Sequence, residues 1–163
     1  MNPHDEIDDP FKSAEVLQAH VDEGLKFARK NRLPKPIANF IPEHQGTLKM
    51  GYFLNKAEEK KLNFNERDFR YKGPIPQSKE TAILMLADGC EAALRAMDIN
   101  ASDYEALGTI SKIINSRQVD GQLNDSNLSK GEIFLIKKSF LNVWKRIRHR
   151  RIQYPTTKNN TFS

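Results

Sequence analysis

Apolar residues recur every three or four positions in three long stretches of this chain, and no strand-like alternation of apolar and polar residues holds for long. Such spacing places apolar side chains on one face of an α-helix. It predicts helices over residues 13–31, 78–97 and 129–147. The predicted buried faces contain Leu17, Val21, Leu25 and Ala28, then Ile83, Leu86, Cys90, Ala93 and Met97, then Ile133, Ile136, Phe140, Val143 and Ile147. The predicted fold class is all-α.

Short polar signals indicate where further helices begin. Ser102 with Glu105, and Ser129 with Glu132, have the spacing of a capping box, in which each side chain bonds the other residue's backbone N–H group. Thr47, just after a glycine, is expected to cap the helix that follows it. These signals add helix starts that the apolar pattern alone leaves open.

Length and composition favour one soluble globular domain. The chain has 163 residues, of which 38% are hydrophobic and 29% charged, and no apolar run approaches the ~20 residues that cross a bilayer. The first residues lack the basic and apolar segments of a secretory signal, and the single cysteine, Cys90, fits a core position in a reducing compartment. A cytoplasmic location is therefore expected, and residues 156–163 are expected to form a disordered tail.

The formal net charge is +5, and much of the excess lies in residues 145–151. Such a run can contact phosphates, nucleic acid or an anionic membrane face. The helix dipole equally favours it as a solvated helix end, which is the more frequent situation. No DNA- or RNA-binding pattern is present in the sequence, so a small basic nucleic-acid-binding protein is the least favoured hypothesis, and specific nucleic acid is not expected as a partner.

Three residues are candidates for metal binding. His44 ends a short apolar run just before Gly46, His20 flanks the apolar face of the first predicted helix, and Asp88 interrupts the most apolar helix of the chain. Nitrogen and oxygen ligands of this kind hold divalent metals, and a buried carboxylate is costly unless it is paired or bound to metal. Isolated histidines are nevertheless more often core or surface residues, so spacing alone is weak evidence.

Residues 63–77 form the longest irregular stretch, and its centre, Phe69–Pro74, combines aromatic and basic side chains. Long loops in compact domains are often functional. These side chains can stack on a base and pair with a phosphate, or they can pack as a surface loop. The sequence alone slightly favours packing.

Several blocks, taken in order, resemble the cytoplasmic HD domain of the bacterial seven-transmembrane HD phosphodiesterases of the PgpH type. They are Asn2–Asp5, Ala19–Gly24, Ile41–Thr47, Phe69–Pro74, Met85–Asp88, Gly121–Leu123 and Arg150–Pro155. The resemblance covers nearly all of residues 1–155. It implies a helical metallohydrolase that cleaves cyclic di-AMP to the linear dinucleotide pApA with two metal ions, iron or manganese.

Carried over by position, the resemblance implies that His20, His44 and Asp88 are metal ligands. Gln45 departs from relatives that have a second consecutive histidine there, although a glutamine can hold a water molecule or a phosphate oxygen. Gln45 is therefore placed among the substrate-binding residues, together with Arg70, Tyr71 and Lys72.

The family's first metal-binding histidine and its His-Asp pair would precede Met1, and His4-Asp5 matches a later block instead. The expectation is a partial HD domain over residues 1–155 that lacks its N-terminal helices and is inert alone. Its partners would be cyclic di-AMP and a missing N-terminal or membrane segment, since full-length relatives are anchored in the inner membrane. The alternative is a non-catalytic nucleotide- or partner-binding module on the same scaffold.

Overall fold

The structure, a computed structural model, describes residues 8–153, with side chains through Arg151, and all the regular structure in this range is helical. One isolated bridge between Lys49 and Arg70 is the sole strand-like pairing there. The helices are α1 (Pro10–Lys30), α2 (Lys35–Ala38), α3 (Phe40–Glu43), α4 (Gly51–Glu59), a 3₁₀ helix (Glu66–Phe69), α5 (Lys79–Arg95), α6 (Asp103–Val119) and α7 (Lys130–Gln153). The all-α prediction is confirmed.

The described residues divide into two compact units. The first contains the residues up to Met85 together with Arg117–Asn127, and the second contains Leu86–Ser116 together with the residues from Leu128 onward. The expected division into a domain at 1–155 and a tail stays a prediction, because the tail lies outside the described residues.

The first unit is built around an aromatic and aliphatic core under α1 and α4. Its buried members are Ala14, Met50, Phe53, Ala57 and Phe69. Phe69 is fully buried, and its ring lies 5.2 Å from that of Phe11 and 5.4 Å from that of Phe64. Burial of such a ring contributes roughly 1.5–3 kcal/mol. The aromatic start of the predicted loop is thus a core anchor.

The stretch around Phe69 is more regular than the sequence indicated. Asn65 and Asp68 form a capping box around the 3₁₀ helix, because Asn65 accepts from the Arg67 N–H group at 3.1 Å and Asp68 accepts from the Asn65 N–H group at 3.0 Å. This short helix turns Phe69 inward and delivers the chain to residues 70–72.

A close approach between α1 and α3 occurs at Gly24. A Cβ atom at this position would lie 3.0 Å from Cγ2 of Ile41, so a larger side chain would press the two helices apart. Gly24 is one helical turn beyond His20, and Ile41 is three residues before His44. The contact therefore fixes α1 against α3 about one turn from each histidine.

The second unit buries a separate apolar set. Its buried members include Leu86, Cys90, Ala106, Ile110, Ile114, Ile133 and Ile136. Cys90 is 1% exposed, and its Sγ atom lies 3.9 Å from the carbonyl oxygen of Ile110, which confirms the predicted core position. The capping boxes predicted at Ser102–Glu105 and Ser129–Glu132 are both present, with bonds of 2.7–3.1 Å.

Four local predictions were wrong, one of them the burial of Val143 and Ile147, which are 46% and 47% exposed. Helix α1 begins at Pro10 rather than near residue 13, because Asp9 caps it by accepting from the N–H group of Phe11 at 3.0 Å. Thr47 does not cap α4, which starts at Gly51 after Met50, since its hydroxyl is used elsewhere. Ile83 is 37% exposed, because α5 buries the face that carries Ala82, Met85, Leu86 and Cys90 instead.

Candidate functional site

His44 follows the last residue of α3, and its half-buried ring is oriented by the helix itself. Its Nδ1 atom lies 2.6 Å from the carbonyl oxygen of Phe40. A carbonyl can only accept, so this contact places the proton on Nδ1 and leaves the lone pair of Nε2 available. Metal-binding histidines are typically fixed in this manner, with one ring nitrogen donating to a carbonyl or carboxylate. The geometry of His44 suits a nitrogen ligand.

The turn after His44 is built for close packing. Gly46 has a φ of 51°, and a Cβ atom there would lie 2.6 Å from Oε1 of Gln122 and 2.6 Å from Cε of Met85. Any other residue would meet both the left-handed backbone penalty and a collision. Gly46 therefore allows the chain to pass directly over Gln122.

Gln122 binds the next residue of that turn. Its Oε1 atom accepts from the Thr47 N–H group at 3.1 Å, and its Nε2 atom donates to Thr47 Oγ1 at 2.9 Å and to Asp120 Oδ2 at 3.0 Å. Gln122 is completely buried, so an unmade hydrogen bond would be costly. The Gln122 side chain therefore binds the turn through both the backbone N–H group and the hydroxyl of Thr47.

Arg70 completes this network. Its guanidinium donates to both carboxylate oxygens of Asp120, at 3.0 and 2.9 Å, and to the carbonyl oxygen of Thr47 at 2.8 Å. These hydrogen bonds from Arg70, assisted by that of Gln122 and by the nearby positive charges, hold the pKa of Asp120 below its usual value of 3.8. The hydrogen bonds to Asp120 in turn raise the pKa of Arg70. Both groups stay charged.

Glu43, the residue before His44, is anchored from the other side. It is 4% exposed, and its Oε1 atom accepts from the backbone N–H group of Gln77 at 2.7 Å and from Thr81 Oγ1 at 3.0 Å. His44 and Gln45 thus lie between two polar anchors, the buried Glu43 and the half-buried Thr47. Gln45 itself is half-buried.

His20 lies on the exposed side of α1. Its side chain is 67% exposed, and Nδ1 is 4.0 Å from a carboxylate oxygen of Glu23. His20 was expected to flank the apolar face of this helix, and the residues that α1 buries include Ala14 and Gln18 but not His20. His20 nevertheless shares a helix face with Gly24, where α3 approaches. A solvent-facing imidazole remains accessible to a ligand.

Asp88 is also exposed, contrary to the expectation of a carboxylate inside an apolar helix. The helical pitch explains the difference, since Leu86 and Cys90 face inward and Asp88 lies about 200° around the helix from each of them. Burial therefore supplies no reason for Asp88 to need a metal. Its exposure leaves the carboxylate accessible.

Across residues 8–153, no three histidine, cysteine, aspartate or glutamate side chains form a group that could hold a metal ion. His20 and His44 belong to the first unit and Asp88 to the second, and their joint binding of a metal stays a prediction. His4 and Asp5 lie outside the described residues. Each of the three residues carries an atom of a type that binds metal, and the ring of His44 is in addition oriented by the Phe40 carbonyl oxygen. The ligand assignments stay predictions.

The proposed substrate-binding residues differ in their surroundings. Tyr71 is half-buried against the core of the first unit, whereas Lys72 is exposed and its backbone N–H group donates to Gln18 Oε1 at 3.1 Å. Arg70 is engaged by Asp120 and Thr47, an arrangement that favours a structural role over phosphate binding. Of the two cations among the proposed substrate-binding residues, Lys72 is the one with an exposed side chain, and the substrate assignments stay predictions.

Sequence reasoning missed Gln122, Asp120 and Glu43. Gly121–Leu123 was one of the blocks of the resemblance, so a signal for this region existed without a role. A glutamine in a polar loop does not reveal a partner 75 residues away. Glu43 directly precedes the candidate histidine, but a helix of four residues shows too little periodicity to predict which side chain is buried.

Comparison with known proteins places this geometry in a family, although no family model matches the chain. The chain is 45% identical over 159 residues to an uncharacterised protein of Synechocystis. It is 35% and 37% identical to the cyclic-di-AMP phosphodiesterases PgpH of Listeria monocytogenes and Bacillus subtilis. These alignments cover 94–98% of the chain, which spans only 20–22% of the length of these relatives.

The solved structures give the fold directly. The PgpH HD domain of L. monocytogenes in complex with cyclic-di-AMP matches with a TM-score of 0.84 and 33% identity, over 90% of this chain and 68% of that one. A second structure of the same domain matches with a TM-score of 0.83, over 91% and 69%. No helix in residues 8–153 has both the length and the apolar character required to cross a membrane. This chain belongs to the family of the PgpH HD domain.

Proposed function

We propose that this chain forms part of a phosphodiesterase domain that hydrolyses cyclic di-AMP to pApA. The observation that carries the proposal is the fixed imidazole of His44, whose Nδ1–H group is held by the Phe40 carbonyl oxygen and whose Nε2 atom is available. The likeness to a PgpH HD domain in complex with cyclic-di-AMP supports the same substrate class.

In this proposal His20, His44 and Asp88 each supply a ligand to divalent metal, manganese or iron, and two ions serve the complete domain. The metal would supply an activated water and neutralise charge on phosphate oxygens. Gln45 and the exposed Lys72 are the proposed contacts to the substrate. Further ligands are proposed to lie in the part of the PgpH HD domain that this chain does not cover, since the match extends over 68% of that domain.

The test compares two proteins. One is the chain alone, and the other, called the completed domain, joins it to the part of the Listeria HD domain that has no counterpart in this chain. With added manganese, the chain alone is expected to form no pApA, whereas the completed domain forms pApA and loses this activity with His44→Ala. Full activity in the chain alone, or in the His44→Ala variant, would refute the proposed ligand set.

A non-catalytic binding module is the second candidate, and it has its own observation. The second unit contains a groove of about 410 Å³, lined on its apolar side by residues such as Leu94, Phe140 and Trp144. Arg148 and Arg151 also line it. Cyclic di-AMP binding by the completed domain without any pApA formation, at saturating manganese, would favour this candidate.

A further inference from the structure

We infer that Gln122, Arg70 and Asp120 are positioning residues that hold the turn after His44 in the geometry required of a ligand. The inference rests on the proposed function of His44. None of the three is hydrogen-bonded to His44, and they act through Thr47. The Thr47 N–H group donates to Gln122, its hydroxyl accepts from Gln122, and its carbonyl oxygen accepts from Arg70.

The network is closed, so each member fixes the others. Asp120 accepts from Arg70 through both carboxylate oxygens and from Gln122 through one of them. Arg70 and Gln122 meet again at Thr47. Such rings leave few alternative arrangements, because moving one group breaks several hydrogen bonds together.

The buried part of the network lies in a position that apolar side chains could also fill. Gln122 is completely buried, and replacing a satisfied polar set with apolar groups of similar shape is often nearly neutral for stability. A stability role alone therefore does not require these residues. Their shared target, a turn three residues beyond the metal-ligand candidate, accounts for their placement.

On the other side of His44, the preceding residue, Glu43, is fixed because its carboxylate accepts hydrogen bonds from Gln77 and Thr81. The backbone of His44 and Gln45 is thus held at both ends, while the His44 ring is fixed by Phe40. Functional side chains need such support, since small displacements of a ligand cost much of its affinity.

The test measures the His44 ring by ¹⁵N NMR in the chain alone, so it needs neither metal nor activity. Wild type is expected to show His44 as a single Nδ1–H tautomer, and the Thr47 amide is expected to exchange slowly with solvent. Gln122→Met should shift the His44 signals toward the average of the two tautomers and accelerate Thr47 exchange at least tenfold. Thr47→Val should act similarly, and Thr47→Ser should restore the wild-type signals.

Gln18→Met is the matched control. Gln18 is a second buried glutamine in the same unit, but it binds the backbone of Lys72 rather than the turn. It is expected to lower stability while leaving the His44 signals unchanged. The inference is overturned if Gln122→Met leaves them unchanged, or if Gln18→Met alters them equally. A completed domain without phosphodiesterase activity would refute the proposed function and leave this result standing.

Discussion

The guanidinium of Arg70 and the carboxylate of Asp120 form a two-point ion pair, with N–O distances of 3.0 and 2.9 Å, between positions fifty residues apart in the chain. Both side chains are mostly shielded, with 19% and 28% exposed. Such planar pairing is specific to arginine and a carboxylate. It fixes the 3₁₀-helix segment to the loop after α6, within the first unit.

This pair predicts a pH dependence of stability. The hydrogen bonds from Arg70 lower the pKa of Asp120 in the folded state below 3.8, its pKa in the unfolded chain. The ion pair therefore stabilises the fold fully above pH 3.8, and this stabilisation is lost as the pH falls through the lower pKa of the folded state. We expect Asp120→Asn to cost about 1–3 kcal/mol at pH 7 and progressively less below pH 3.8. Urea unfolding midpoints between neutral and acid pH measure this difference. A constant difference at all pH values would contradict the assignment.

Gly46→Ala tests the close passage over Gln122. The new Cβ atom would face Gln122 Oε1 and Met85 Cε at 2.6 Å with φ at 51°, so we expect a loss of about 2–5 kcal/mol in the free energy of unfolding. Gly108→Ala is the control, since it lies in α6 with no heavy atom within 4 Å of the new Cβ atom. The Gly108→Ala variant should gain up to about 1 kcal/mol in the free energy of unfolding. Equal effects in thermal or urea unfolding would exclude a steric cause.

The sequence predicted the features that depend on neighbours along the chain. Helical periodicity and the capping boxes at Ser102 and Ser129 are local, and both are confirmed. The burial of Cys90 also followed from its place among apolar residues. Short-range rules sufficed for each of these.

The features that the sequence left open depend on partners distant in the chain. The pairing of Arg70 with Asp120 joins positions fifty residues apart, and Thr47 does not cap a helix because its hydroxyl accepts a hydrogen bond from the distant Gln122. The exposure of Asp88 depends on which face of α5 packs, which the periodicity of its many apolar residues does not decide. Tertiary contacts override local preference at these positions.

Lys72→Ala is expected to weaken binding of cyclic di-AMP to the completed domain by about ten- to a hundredfold, because a charge-assisted hydrogen bond to phosphate would be lost. Its side chain is exposed while its backbone is anchored by Gln18, so the substitution should leave the fold intact. Calorimetric titration with cyclic di-AMP measures the effect. Lys12→Ala, an exposed lysine on α1, is the control. Equal affinities of the two variants would remove Lys72 from the substrate site.

The last prediction concerns the metal ligands. In the completed domain, His44→Ala and Asp88→Asn should each lower the bound manganese by more than tenfold at a fixed free concentration, because each removes a donor from a site with few of them. Metal content after dialysis against buffered manganese gives the measurement without any assay of turnover. His149→Ala is the matched control, since His149 is an exposed histidine in the basic part of α7. If His149→Ala releases as much metal as His44→Ala, the bound metal is not held at the proposed site, and if Asp88→Asn releases none, Asp88 is not a ligand.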